Sequence, residues 1–294
     1  MPAQSPTVRT YQPSDYSRLE ELISVLHAAD SSLQAADFMA LNAEFRNHDP
    51  AIDRFILEDA TEIIGYAWIA GDRSDRNDGW LCVAPQHRRK GYGTRLLETI
   101  IARALERAAT GVMMYLPGQL PALEFAGRAG FTVKGYARDF YLLAQTPRVP
   151  ATLPDGWRLE PYGEAADVAR YADILNASYA DLWGHGVATT ALVQTMLSTL
   201  EPRDVFFVVD GAGVDVGCAG VTRGAAQVID APGLIADYRS PEHYQAVLAS
   251  ALTRLEPDSD VLLHSWGDQE TTAAAYVALG FVETECTAMA WRGI

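Results

Sequence analysis

One junction constrains the fold more than any other part of the chain. The apolar run Trp80-Leu81-Cys82-Val83 leads into Ala84-Pro85-Gln86-His87-Arg88-Arg89-Lys90-Gly91-Tyr92-Gly93-Thr94. The run reads as a buried strand. After the loop, Leu96, Leu97, Ile100, Ile101, Ala104, Leu105 and Ala108 recur at helical spacing. The pattern predicts a strand, a tight basic glycine loop and a helix. Such a loop aims backbone N–H groups and the positive end of a helix at one point, which suits a phosphate. Gly91 and Gly93 let the backbone approach a ligand without a Cβ in the way. A plain strand–helix turn explains the glycines but not the three consecutive basic residues beside them. A Walker A loop requires Gly-Lys-(Ser/Thr) after its second glycine, and here Lys90 lies on the wrong side of Gly91. A dinucleotide fingerprint requires three glycines and a later acid, and neither is present.

Arg88-x-x-Gly91-x-Gly93 resembles the (Q/R)-x-x-G-x-(G/A) signature of the GNAT superfamily of acyl-CoA-dependent N-acetyltransferases. Val83-x-Pro85 at the strand end and Gly130-Phe131 downstream match that family's pattern as well. The resemblance implies an α/β (α+β) fold. Its sheet is mixed, mostly antiparallel and twisted, flanked by helices and splayed between strands 4 and 5. It also implies acetyl-CoA as co-substrate, with no metal.

The chain repeats itself with a period of roughly 150 residues, as two domains of the usual ~100–200 residues each would. Arg9-Thr10-Tyr11-Gln12-Pro13 parallels Arg158-Leu159-Glu160-Pro161, each before an amphipathic helix. Phe55–Asp59 with Ile64–Ala67 parallels Phe207–Gly211 with Val216–Ala219, two hairpins with polar turns. Gly130-Phe131 parallels Gly280-Phe281. The predicted division is a GNAT domain at 1–146, a proline-rich linker at 147–154 and a degenerate GNAT domain at 155–294. This tandem arrangement resembles the mycothiol-synthase branch in architecture.

The two copies differ where phosphate would bind. Aligning Leu97 with Leu248 sets Arg88 on Arg239, Gly91 on Glu242 and Gly93 on Tyr244. The second loop then has no glycine, a proline without an N–H, and a carboxylate facing a pyrophosphate. It is expected not to hold CoA in the family's way. Four residues before the Gly-Phe pair the family often has a tyrosine that protonates the leaving thiolate. The second copy has Tyr276 there and the first has Ala126. Tyr276 reads as a core residue.

Charge is uneven. Residues 1–150 carry a net −2 and residues 151–294 a net −13. An acidic chain is a poor general binder of nucleic acid, and its field favours a cationic acceptor at long range. The same acidity also serves solubility alone. No apolar run approaches the ~20 residues that span a bilayer, and Met1–Pro6 has no secretory pattern. Cys82, Cys218 and Cys286 sit in apolar runs without metal-ligand spacing, as buried thiols in a reducing, cytoplasmic setting do. The six histidines show no metal spacing either. With only Lys90 and Lys134 as lysines, the basic residues suit a GC-rich bacterial genome. Monomer and homodimer both fit the composition.

The resemblance implies transfer by direct attack of a small-molecule or peptide amine on the thioester. Cofactor contacts fall to the backbone of Leu81, Cys82 and Val83 and to Arg88, Arg89, Lys90, Gly91, Tyr92, Gly93 and Thr94. Gln119 stands where the family has an asparagine. Arg88 and Arg89 add charge-assisted contacts, and a backbone N–H at Leu81–Val83 polarises the thioester carbonyl. Asp78 is the candidate base, with a hairpin-turn role as its alternative; Glu58 and Asp59 have the same standing, and a water chain is a further option. Tyr141 is the candidate acid, beside Tyr115 and Tyr136 and the option of a thiolate that leaves unprotonated. Acceptor recognition is expected from residues 31–53, with Asp37, Phe38, Met39, Glu44, Phe45, His48 and Asp49, and from Asp173, Asp181, Trp183 and His185. His264-Ser265 with Asp268 is not read as a triad, because the segment is strand-like and lacks a Gly-x-Ser-x-Gly elbow. The rival reading is an acyl-CoA-binding sensor with little catalysis.

Overall fold

The computed structural model describes residues 5–29, 48–60, 62–71, 76–117, 120–150, 152–163, 167–199, 203–224, 227–266 and 270–294. In chain order the elements begin with β1 (Thr7–Thr10), α1 (Tyr16–Ala29), α2 (Pro50–Asp53), β2 (Arg54–Asp59), β3 (Glu62–Ala70) and β4 (Asn77–Val83). Then come α3 (Tyr92–Glu106), β5 (Gly111–Pro117), α4 (Leu120–Arg128), β6 (Thr132–Leu142), β7 (Arg158–Pro161), α5 (Asp167–Tyr179) and α6 (Thr190–Thr199). The rest are β8 (Arg203–Val209), β9 (Asp215–Thr222), β10 (Gln227–Leu234), α7 (Pro241–Leu252), β11 (Val261–Trp266), α8 (Glu270–Ala278) and β12 (Val282–Gly293). Among the described residues no helix is long and apolar enough to cross a membrane.

Two compact units result. The first comprises residues 1–134 and 288–294, the second residues 135–287. This differs from a division at 147–154, because the last strand of each copy packs away from its own sequence neighbours.

In the first unit the strand order is β1-β2-β3-β4-β5-β12. The first four strands pair antiparallel, and β4 pairs parallel with β5. On α1, Leu19, Leu22, Ile23 and Leu26 recur every three or four residues and pack with Ile56, Tyr66, Trp68 and Cys82 on one face of the sheet. On α3, Leu96, Leu97, Ile100 and Ala104 are buried on the other face. Burying each of the larger three contributes roughly 1.5–3 kcal/mol. The C-terminal residues finish this unit: Ile294 N–H donates to Thr110 O at 3.0 Å and Arg292 Nη1 to Ala129 O at 2.8 Å.

In the second unit the order is β6-β11-β10-β9-β8-β7, with β10 and β11 parallel and the other pairs antiparallel. Phe140 and Leu142 of β6 join a core with Ile229, Val261, Leu263, Tyr276 and Phe281. That packing is why residues 135–146, expected in the first domain, belong here.

Candidate active site

The glycine loop folds by a short relay of hydrogen bonds. Ala84 N–H donates to Ile64 O at 2.9 Å and His87 N–H to Ala84 O at 2.8 Å, closing a 3-10 turn over Pro85–His87. Arg88 Nε donates to Val83 O at 3.0 Å. The chain then turns left-handed at Arg89 (φ 62°) and at Gly91 (φ 84°), the residue that caps α3. In the first turn of α3 the N–H groups of Tyr92, Gly93 and Thr94 have no carbonyl one turn back to bond to, and the positive end of the helix lies with them. A Cβ placed on Gly91 meets nothing within 4 Å, so the space in front of the loop is open. A Cβ on Gly93 would lie 3.5 Å from the Phe125 ring, so α4 borders the loop. Arg88, Arg89 and Lys90 are exposed. Among the described residues the terminal nitrogens of Arg88 make no hydrogen bond, leaving them for an anion.

From this loop the sheet opens. The parallel pairing of β4 with β5 runs Asn77↔Val112, Asp78↔Met113 and Gly79↔Met114 and ends there. β4 continues to Val83 still paired with β3, while β5 continues to Pro117. Trp80, Leu81, Cys82 and Val83 therefore line a parting that leads from the loop into the sheet. An anion at the α3 terminus with an extended chain along β4 fits this shape.

The other expected residues fall as follows. Asp78 lies near the far end of β4, five residues and about 17 Å from Val83. It is ion-paired with Arg76 at 3.4 Å. Glu58 accepts from Arg9 and Arg18, which hold its carboxyl below the usual range. Its partners make it an ion-pair residue of the β1–α1–β2 corner. Tyr141 belongs to the second unit, and its hydroxyl donates to Asp260 Oδ2 at 2.6 Å, which raises its pKa. Asp181 pairs with Arg239 and is held low by it, and His185 packs on Tyr179. His264 binds Asp139 at 2.7 Å. Gln119, Asp37, Phe38, Met39, Glu44, Phe45 and Asp268 lie outside the described residues.

The second copy repeats the relay and then departs from it. Ile235 N–H donates to Val216 O at 3.0 Å, Tyr238 N–H to Ile235 O at 3.0 Å, and Arg239 Nε to Leu234 O at 2.8 Å. Arg239 thus matches Arg88. Its terminal nitrogens, however, are taken by Asp181 at 2.6 and 2.7 Å and by Ser178 O at 2.8 Å. The helix begins four residues after Arg88 but only two after Arg239. The cap opposite Gly91 is therefore Ser240, not Glu242 as the sequence alignment implies. The alignment kept the buried face of the helix in register but could not see the shorter loop. Ser240 Oγ accepts from His243 N–H at 3.2 Å, and the Glu242 carboxylate is held low by its own N–H and by Ser240. The helix end is self-capped where the first copy is open. Pro232, without an N–H, sits within the strand irregularity between Asp230 and Gly233, and the Tyr179 hydroxyl donates to Ala231 O at 3.1 Å. Tyr276 is fully buried and meets Phe140 edge-on at 5.1 Å.

Comparison with known proteins agrees with this geometry. The GNAT acetyltransferase family matches residues 19–131. A mycothiol acetyltransferase of Thermobispora bispora is 29% identical over 281 residues, 88% of this chain and 91% of that protein. One of Acidothermus cellulolyticus is 29% identical over 170 residues, about half of each protein, with 55% and 50% covered. A GCN5-related N-acetyltransferase from Sphaerobacter thermophilus shares the fold, with a TM-score of 0.72, 17% identity, and 98% of this chain and 95% of that one covered. A tandem GNAT protein of the clavulanic acid biosynthesis pathway superposes with a TM-score of 0.61 at 16% identity and 98% coverage of both. Residues 19–131 thus match the GNAT family of acetyltransferases, and the chain as a whole has the fold of two GNAT domains in tandem.

Proposed function

We propose that the first unit moves an acetyl group from acetyl-CoA to a primary amine by direct attack, and that the second unit does not hold CoA. The observation that carries this reading is the contrast between the two helix ends. Gly91 leaves α3 open and polar, whereas Ser240, Glu242 and Asp181 close the equivalent place. Arg88–Thr94 would take the pyrophosphate, and the parting at Trp80–Val83 would take the pantetheine arm. Bound there, acetyl-CoA supplies an activated carbonyl carbon. The amine forms the new C–N bond, the C–S bond breaks, and the amine proton passes to a base or to the departing thiolate. A backbone N–H of Leu81–Val83 stabilises the carbonyl oxygen as charge grows on it. Asp78 remains the base candidate, through water given its place on β4. Tyr141 is set aside as acid because its hydroxyl already serves Asp260. Three cysteines without a disulfide suit a cytoplasmic setting.

A second reading, an acyl-CoA-binding module with little turnover, is favoured by buried Ala126 at the position of the family's acid. Calorimetric titration with acetyl-CoA tests the binding, with one site per chain expected. Two sites per chain would overturn the assignment of the second unit. Amine-dependent CoA release from a mixed amine panel then separates enzyme from sensor.

A further inference from the structure

A row of side chains crosses three neighbouring strands of the first unit. Arg54 on β2 is in register with Trp68 on β3, and Trp68 with Trp80 on β4. Tyr66 lies two residues before Trp68, on the same face, with its ring 6.1 Å from that of Trp80. This is the α1 face. Two polar groups in the row are buried, and among the described residues neither meets a carboxylate. Arg54 is 7% exposed and Tyr66 is 0% exposed. Arginine is almost never buried unless paired. Arg54 Nε donates to His48 Nε2 at 3.4 Å, and its guanidinium lies 5.6 Å from the Tyr11 ring centre. Burial, then the nearby Arg54 charge, lowers the His48 pKa, which favours the neutral imidazole that accepts from Arg54 and leaves the arginine charge unbalanced by it. Among the described residues Arg54 meets no carboxylate, whereas Arg103 and Arg107 share Asp53, and Arg9 and Arg18 share Asp15 and Glu58. Among the same residues the Tyr66 hydroxyl has no hydrogen-bond partner, and it lies within electrostatic reach of Arg54.

Among the described residues the buried cation meets no carboxylate and the buried hydroxyl no acceptor, a pair that suits an anion. The aromatic rings of Tyr11, Trp68 and Trp80 describe what carries it. Trp80 is the first residue beyond the last β4–β5 pair, so the row ends where the sheet parts. Strand spacing puts the Arg54 and Trp80 backbones about 10 Å apart.

We infer that the first unit selects acceptors bearing a carboxylate, which the Arg54 guanidinium and the Tyr66 hydroxyl bind while the amine reaches the parting beside Trp80. The acceptor class is an amine and a carboxylate joined through an apolar or aromatic body that covers the two indoles. The inference rests on the transfer reading above for the amine, but not for the anion. It also refines the long-range expectation of a cationic acceptor, since such a molecule is a zwitterion.

The test compares 4-(aminomethyl)benzoate with its neutral amide, 4-(aminomethyl)benzamide. In wild type the acid is expected to have a kcat/KM about 10- to 100-fold higher, carried by KM, the size of a hydrogen bond to a charged group. Arg54→Met is expected to erase the difference, and Tyr66→Phe to reduce it in part. Tyr66→Phe removes a hydroxyl without a described partner and keeps the ring, so it is the milder of the two changes to the fold. Acetyl-CoA affinity, read by calorimetry, controls for folding in both. A second readout needs no catalysis: quenching of tryptophan fluorescence by the acid in the absence of acetyl-CoA, stronger than by the amide and lost in Arg54→Met. Equal use and equal quenching by acid and amide in wild type, or a preference that survives Arg54→Met, overturns the inference. Selective quenching without turnover sustains the site and overturns the transfer reading. Turnover without selectivity does the reverse.

Discussion

Arg88 Nε donates to the Val83 carbonyl at 3.0 Å, so the signature arginine pins its loop to the end of the strand that delivers it. A side chain that reads as a phosphate ligand thus has a prior role in shaping the turn. Arg88→Ala is expected to weaken acetyl-CoA binding about tenfold or more, the range for losing a hydrogen bond to a charged group. Arg88→Lys keeps the charge but cannot reproduce the fork of nitrogens, and is expected to give little rescue. Arg239→Ala, which removes the same pin in the second copy, is expected to leave that affinity unchanged. Calorimetry on the three variants checks this. Full rescue by lysine would show that charge alone matters at position 88.

Gly91 separates the cost to the fold from the cost to binding. A Cβ at this position has nothing within 4 Å, so a side chain there finds room, and the penalty comes from φ 84°. Gly91→Leu should therefore destabilise by about 1–2 kcal/mol while placing its side chain in front of the α3 terminus. Thermal unfolding should shift by a few degrees and acetyl-CoA binding should be lost. Retained affinity would remove the loop from the site.

Much of this was legible in the sequence, for local reasons. The periodicity of Leu96, Leu97, Ile100 and Ala104 and the glycines around Tyr92 are short-range signals, and the structure places helix and loop accordingly. What could not be read depends on long-range pairing. The exchange of β6 and β12 leaves no local mark, because Phe140 and Leu142 alternate as any closing strand does. The cap at Ser240 was hidden because the buried face of α7 keeps its register while its start moves. The row from Arg54 to Trp80 spans residues far apart in the chain and appears only once strand register is known. Arg54 could have been suspected as a charge opening an apolar strand, a weak signal by itself.

Acid should loosen the first unit at a definable place. Arg9 binds Asp15 through both terminal nitrogens at 2.7 Å, and Gln12 N–H donates to the same carboxylate at 2.8 Å. The Asp15 side chain is 4% exposed. The arginine, and to a lesser degree the backbone N–H, hold the Asp15 carboxyl below its ordinary 3.8 despite burial. A carboxyl with a depressed folded-state pKa stabilises the fold above its unfolded value and loses that contribution as pH falls through the folded value. Asp15→Asn should thus cost up to about 3–5 kcal/mol at neutral pH, and the gap to wild type should begin to close as pH falls below about 3.8. Urea unfolding of both proteins across pH 2–7 measures it. A gap that stays constant with pH would mean that the carboxylate charge is not what stabilises this corner.

Tyr276 tests where chemistry takes place. It occupies the position at which the family's proton donor stands, yet it is fully buried, edge-on to Phe140 at 5.1 Å. The second unit around it has a self-capped helix and an arginine whose nitrogens are all engaged. A thiolate has no way to form beside it if CoA binds only at Arg88–Thr94. Tyr276→Phe preserves the ring packing and is expected to leave amine-dependent CoA release within about twofold of wild type. Tyr276→Ala leaves a cavity and is expected to cost about 3–5 kcal/mol of stability. The pair of variants makes the outcome interpretable. A large loss of kcat in the phenylalanine variant, with thermal unfolding unchanged, would place the working acid and the transfer site in the second unit. Unchanged kcat with a destabilised alanine variant leaves Tyr276 as a packing residue and keeps the chemistry at the open helix end of the first.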